Sequence, residues 1–231
     1  MKLLSNRRNG RIEFQLWRIV HFLRCKLYPC NVAKTLEDSV RYIQLSCVKG
    51  DVAEFGCCMT ARSARILYYS LKRTGRTLHL FDSFNGMPDS INQIDTSCPM
   101  FLQGIWREGV HAGISADWMQ KVCPRAIIHE GLFDTSIKIL NPNITFGLIH
   151  VDCNLYQSTI DSLYYLFDRN QISKGAMILF DDWNNNQSGN SFGERRAWSD
   201  LCEMFNVDFE SFGMYGITGH RLIVHSYGKI F

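Results

Sequence analysis

The stretch FGLIHVDCNLYQST, residues Phe146 to Thr159, runs a set of apolar and β-forming residues straight into Asp152, then into Cys153, Asn154 and Leu155. A second run, GAMILFDDW, does the same and ends in Asp181 and Asp182. Each reads as a buried strand closed by acid and followed by polar or helical sequence. An unpaired carboxylate is costly to desolvate, so acids at the tips of core strands need a partner or a ligand. Strands of this kind alternating with helical stretches predict a mostly parallel sheet covered on both faces. In such sheets ligands bind beyond the carboxyl ends of the strands.

Working outward, KTLEDSVRYIQLSCVKG reads as a helix, with Thr35 and Asp38 in capping-box spacing and Gly50 as a stop. DVAEF follows as a first strand, then a helix of about fifteen residues ending near Gly75. TLHLFD is a second strand, and Ser83 to Gly113 a long irregular segment. Ser115 is placed to cap a helix over ADWMQKV, and AIIHE is a third strand. FGLIHVD is the fourth, YQSTIDSLYYLF a helix and GAMILFDD the fifth strand. A helix from Gly193 to Met204 precedes two last strands, DFESFG and HRLIVHS. Acids close successive strands: Glu54, Asp82, Glu130, Asp152, Asp181 and Asp182.

The first strand turns through Glu54-Phe55-Gly56-Cys57, where a glycine permits close approach of backbone to a ligand. Asp82, at the second strand end, is placed to accept hydrogen bonds from ribose hydroxyls. GCCMTARS has one glycine where a dinucleotide loop needs three, which argues against NAD or FAD. A nucleoside ligand without a diphosphate, such as S-adenosylmethionine, needs no such loop. Asp152, Asp181 and Asp182 together would repel one another unless a cation sits between them, and all-oxygen ligands favour magnesium or another hard divalent ion over zinc. The competing reading is three surface carboxylates with ordinary salt-bridge partners.

GDVAEFG, LFDSFNGMP, HEGLFDTS, VDCNLYQST, DSLYYLF and ILFDDW, in this order, resemble the macrocin O-methyltransferase family over roughly residues 35–225. The resemblance implies a Rossmann-like class I methyltransferase fold, with a seven-stranded sheet whose last strand is antiparallel. It implies S-adenosylmethionine as cofactor, a magnesium ion, and a hydroxyl of a sugar or glycosylated small molecule as acceptor. It also implies that Glu54, Gly56, Asp82 and Ser83, with the flanking Phe55 and Cys57 and with Asp152, hold the methionine and ribose parts. Gly131 and Phe133 would lie near the adenine, and the metal acids would be Asp152, Asp181 and Asp182. Family members read D-x-D-L-Y where this chain has Asp152-Cys153-Asn154-Leu155-Tyr156. The expected proton acceptor is thus an asparagine, which leaves Asp152 or a histidine to do the work. His111, in the irregular segment, is the spare candidate, whereas His129 and His150 lie in apolar runs and read as core. The alternative is a catalytically impaired relative that binds S-adenosylmethionine and serves as an interaction protein.

Composition bounds the rest. The 231 residues, 46% apolar, suit one α/β domain. Nine cysteines, an odd number without CxxC spacing, and no evident leader predict reduced thiols in a cytoplasmic protein. The net charge of +3 conceals an excess of six positive charges in residues 1–30, so the remainder is acidic. That first part has Leu16, Ile19, Val20, Leu23 and Leu27 at helical spacing. We read residues 1–34 as a basic amphipathic segment, a lid or oligomer contact, and residues 35–231 as the methyltransferase domain. Association of the segment with a membrane surface is the less favoured alternative. Basic residues cluster nowhere else, and no aromatic-proline catalytic tetrad is visible, which argues against nucleic acid as partner.

Overall fold

The computed structural model of the protein describes residues 31–57, 60–90 and 92–228. The basic segment therefore lies outside the described residues, save for its last few positions. The elements are α1 (Val32–Leu45), β1 (Asp51–Phe55), α2 (Arg62–Ser70), β2 (Leu78–Asp82), α3 (Gln93–Thr96) and α4 (Pro99–Leu102). They continue with α5 (Ala116–Val122), β3 (Ile127–Glu130), α6 (Phe133–Ser136), β4 (Phe146–Val151), α7 (Tyr156–Asp168) and β5 (Ile172–Phe180). α8 (Gly193–Phe205), β6 (Asp208–Tyr215) and β7 (Gly219–Ser226) close the chain.

One seven-stranded sheet has the order β3-β2-β1-β4-β5-β7-β6. The first five of these strands pair in parallel, and β7 runs antiparallel to both β5 and β6. Both faces are covered, which is why the central strands read as continuous apolar runs: all six residues of β4 are buried. Successive residues feed opposite cores. Val52, Leu80, Leu148 and Leu179 pack toward α1, α2 and α5. Ala53, Phe81, Ile149 and Phe180 pack toward α6, α7 and α8. The helices form because their apolar positions recur at helical spacing. Leu36, Val40 and Ile43 are the buried stripe of α1, and Ala197, Trp198, Leu201 and Phe205 that of α8.

Two local expectations are corrected. Thr35 and Asp38 do not form a capping box, because α1 begins three residues earlier, after Asn31. Thr35 is instead a buried helical residue, and Asp38 pairs with Lys34 along the helix surface. α2 has nine residues, shorter than expected, because Arg73 and Gly75 take left-handed backbone angles in the turns that follow it. The irregular segment after β2 is better ordered than its composition suggests. It carries two one-turn helices and buries Trp106 with Met87, Cys98 and Leu155. Its Asp95 is buried and accepts the N–H groups of Tyr156 and Gln157 at 2.7 and 3.1 Å. A carboxylate sixty residues upstream thus caps α7, whose own first residues offer no cap, and it suits the positive end of the helix dipole.

Candidate active site

The strand order reverses between β1 and β4, and there the ends of β1, β2, β4 and β5 open onto a cavity of about 610 Å³. The backbone of this floor is stitched across strands. Gly56 donates to the Phe81 carbonyl and Asp152 to the Phe55 carbonyl, each at 2.9 Å, and Asp181 donates to Val151 at 3.0 Å. Gly56 has φ +87°, and a Cβ there would stand 2.0 Å from the Asp152 carbonyl oxygen. No other residue fits that turn without moving β1 away from β4.

The residues expected to hold a cofactor fall into two sets. Gly56, Asp82, Ser83, Gly131, Phe133 and Asp152 all line the cavity. Asp82 is fixed from behind: its carboxylate accepts the N–H of Cys57 at 2.6 Å and that of Phe84 at 2.7 Å. Gly131, at φ +130°, donates its N–H to the Asp82 carbonyl at 3.0 Å, which draws the end of β3 alongside β2. Glu54, Phe55 and Cys57 are fully buried and do not form the wall. Phe55 stacks on Phe81 at 4.5 Å, and the Cys57 contribution to the site is its backbone N–H. Glu54 lies beneath the floor, with Oε1 3.0 Å from Nδ1 of His150.

The other half of the cavity is acidic. Asp152, Asn154, Asp181 and Asp182 all line it. Burial, then the charges of Asp181 and Asp182, push the Asp152 carboxyl well above the usual range. Burial and Asp181 push Asp182 up to about 7. Its two oxygens each accept an amide, one from Asn154 and one from Asn185. Burial alone would raise Asp181 too, but His150, Tyr215 and Arg62 outweigh it and hold that carboxyl below its ordinary value. His150 in turn overcomes its own desolvation and is held well above the ordinary imidazole range, because Asp181 and Glu54 flank it. It lies under the floor and does not line the cavity, so it is not placed as a spare base.

Three participants escaped the sequence reading. His150 was read as core. Glu194, fully buried in α8, accepts the backbone N–H of Asp182 at 2.9 Å and has no local sequence signal. Tyr215 packs its hydroxyl toward Asp181 from the end of β6. His111 does line the cavity, as an exposed residue with φ +70°. The donor chemistry of Asp152, Asp181 and Asp182 suits a hard divalent cation, and their mutual repulsion is what such an ion would relieve. Among the described residues, though, no group of three or more His, Cys, Asp or Glu side chains is gathered closely enough to hold a metal. No helix among the described residues is long and apolar enough to cross a membrane.

A family model described as macrocin-O-methyltransferase (TylF) matches residues 31–211. No curated protein matches the chain. Among solved structures, the O-methyltransferase NovP is similar at a TM-score of 0.69 and 19% identity, covering 84% of this chain and 79% of its own. The calicheamicin methyltransferase CalS11 is similar at 0.62 and 21%, covering 81% and 76%. A methyltransferase of Podospora anserina, solved with bound SAH, is similar at 0.53 and 16%, again over 81% and 76%. At these identities the structures establish the class I methyltransferase fold.

Proposed function

We propose that this chain, which belongs to the macrocin-O-methyltransferase (TylF) family, transfers a methyl group from S-adenosylmethionine to a hydroxyl of a sugar or glycosylated small molecule. The observation that carries the reading is the division of one cavity into two halves. Gly56, Asp82, Gly131 and Phe133 present a glycine turn, a fixed carboxylate and an aromatic face. Asp152, Asn154, Asp181 and Asp182 present a cluster of carboxyl groups and one amide. The first half suits a nucleoside: Asp82 keeps acceptor capacity beyond its two backbone N–H bonds, and ribose hydroxyls can use it. The second half suits a polyhydroxyl acceptor.

S-adenosylmethionine supplies a methyl group already activated on a sulfonium centre, so the protein's work is positioning and proton removal. Asn154 donates through its amide to Asp182 and cannot accept a proton. It therefore orients. Without a bound cation the carboxylate it holds, Asp182, pushed up to about 7, is matched to take a proton from an acceptor hydroxyl at neutral pH; with a cation bound it would serve as a ligand instead. The negative field of the neighbouring aspartates also favours a cationic methyl donor at this end of the cavity. Magnesium, or another hard divalent ion, would be held by Asp152, Asp181 and Asp182 and would polarise the acceptor oxygen. Donor type and charge repulsion support that part of the reading; the spacing of the three side chains does not.

The impaired-relative reading has one observation in its favour, the replacement of the expected acid by Asn154. Methyl transfer to a panel of free sugars, glycosides and sugar nucleotides, with EDTA and with added magnesium, tests all three statements. Transfer that EDTA abolishes and magnesium restores is the expected result. Full transfer in EDTA would remove the metal. S-adenosylmethionine binding without transfer to any acceptor would favour the impaired relative.

A further inference from the structure

We propose that Ser158 and Asp161, on the cavity side of α7, read the amino edge of the cofactor's purine and so select adenine over other bases, an assignment that rests on the methyl-donor reading above. The cavity has a third wall besides the strand ends. Leu132, Phe133 and Asp134 line it from the start of α6, and Gln157, Ser158 and Asp161 from the start of α7. The two helices pack against each other, so their first turns form one surface. A donor whose ribose lies at Asp82 and whose methyl group points at the β4–β5 acids must carry its base away from those acids. On the other side of Asp82 stands β3, where the Gly131 N–H meets the Asp82 carbonyl, and α6 begins two residues later. Phe133 is braced there by an edge-on contact with Phe55 at 5.5 Å. It gives the base an aromatic neighbour.

The α7 part of this wall holds a donor and an acceptor that the fold leaves available. Ser158 is only 5% exposed, and its hydroxyl has no partner among the described residues. A buried hydroxyl left unpaired costs free energy, so one that borders a cavity marks the place of a ligand atom. Asp161 lies three residues further on and therefore shares a helix face with Ser158. Gln157 donates its amide to one Asp161 oxygen at 2.8 Å, which orients the carboxylate and leaves the other oxygen to accept. The neighbouring Asp134 is engaged by Lys138, 3.8 Å away, so Asp161 is the acid on this wall with acceptor capacity to spare. Adenine presents the complement of this pair: its 6-amino group donates, and a ring nitrogen beside it accepts. Hypoxanthine carries an oxo group in place of the amine and would turn an acceptor toward the carboxylate. A site built on hydrogen bonds rejects such an analogue, because its own buried polar groups are then left unpaired.

The test is calorimetric titration of S-adenosylhomocysteine and of its deaminated analogue, S-inosylhomocysteine, into the full chain, Asp161→Asn and Ser158→Ala. The unaltered chain should bind the adenosyl compound tighter by a factor of about ten or more. Asp161→Asn keeps the size of the side chain but can offer an N–H to the 6-oxo group, so it should shrink or invert that ratio. Ser158→Ala should shrink it as well, by weakening the adenosyl compound. A purely structural role for either residue would weaken both ligands in proportion and leave the ratio as it was. Equal affinity of the unaltered chain for the two ligands, which needs no variant to observe, would overturn the assignment and leave the methyl-donor reading standing. A ratio unchanged in either variant would also overturn it. Failure of the unaltered chain to bind either ligand would defeat the methyl-donor reading and this assignment with it.

Discussion

Asn154 has left-handed backbone geometry, φ +61°, and an amide turned onto Asp182. Asn154→Asp replaces this donor with a carboxylate beside the acceptor hydroxyl. It should raise turnover, because a second carboxylate then stands beside the acceptor hydroxyl and can take the proton when Asp182 holds a cation. It should also lower stability by about 1–3 kcal/mol, because Asp182 loses one of its two amide partners. Steady-state kinetics and urea unfolding read the two effects separately, and a fall in turnover would show that the amide itself is needed for positioning. A second prediction at this scale concerns His129, stacked on Phe81 at 4.2 Å with Nε2 2.9 Å from Nδ1 of His79. Burial and the nearby His79 push its pKa down from 6.5 to about 4. Between those values the unfolded chain binds more protons than the folded one, so stability falls as pH drops through that window. His129→Gln should flatten the dependence of urea-derived stability between pH 6.5 and 4 while leaving it unchanged above pH 7. An unaltered slope would mean that His129 is not the group responsible.

At the level of elements, the sheet was legible because parallel strands buried on both faces write themselves as apolar runs closed by polar residues. β4 and β5 are examples, and the helices between them show apolar spacing. What stayed hidden depended on partners distant in sequence. Asp95 caps α7 from sixty residues away, and Glu194 supports the Asp182 backbone from α8; neither has a local pattern that marks it. Glu54 was assigned to the cavity wall because it closes β1. The alternation of the strand instead points it at His150 in the neighbouring strand, beneath the floor. The Gly56 turn, by contrast, was legible, and it gives the sharpest prediction for an element. A methyl group there meets the Asp152 carbonyl at 2.0 Å, so Gly56→Ala must part β1 from β4 at the cavity floor. The expected cost is about 1–3 kcal/mol of stability, together with loss of cofactor affinity. A variant of unchanged stability, measured by urea unfolding, would show that the turn can relax at no cost.

At the scale of the whole molecule, the sheet brings four strand ends to one place, and the sequence of each contributes a different chemical part. β1 gives a glycine turn, β2 the Asp82 carboxylate, β4 Asp152 and Asn154, and β5 Asp181 and Asp182. In the proposed function a nucleoside-bearing methyl donor sits at the β1–β2 side of this cavity and the acceptor at the β4–β5 side. Calorimetric titration of S-adenosylhomocysteine into the full chain and into Asp82→Ala is the most direct test, since it needs no knowledge of the acceptor. The expected result is one site per chain in the unaltered protein and a loss of about 1–3 kcal/mol of binding free energy in the variant, from ribose hydrogen bonds to a charged acceptor. Absence of binding to the unaltered chain, or an affinity that Asp82→Ala leaves unchanged, would contradict it.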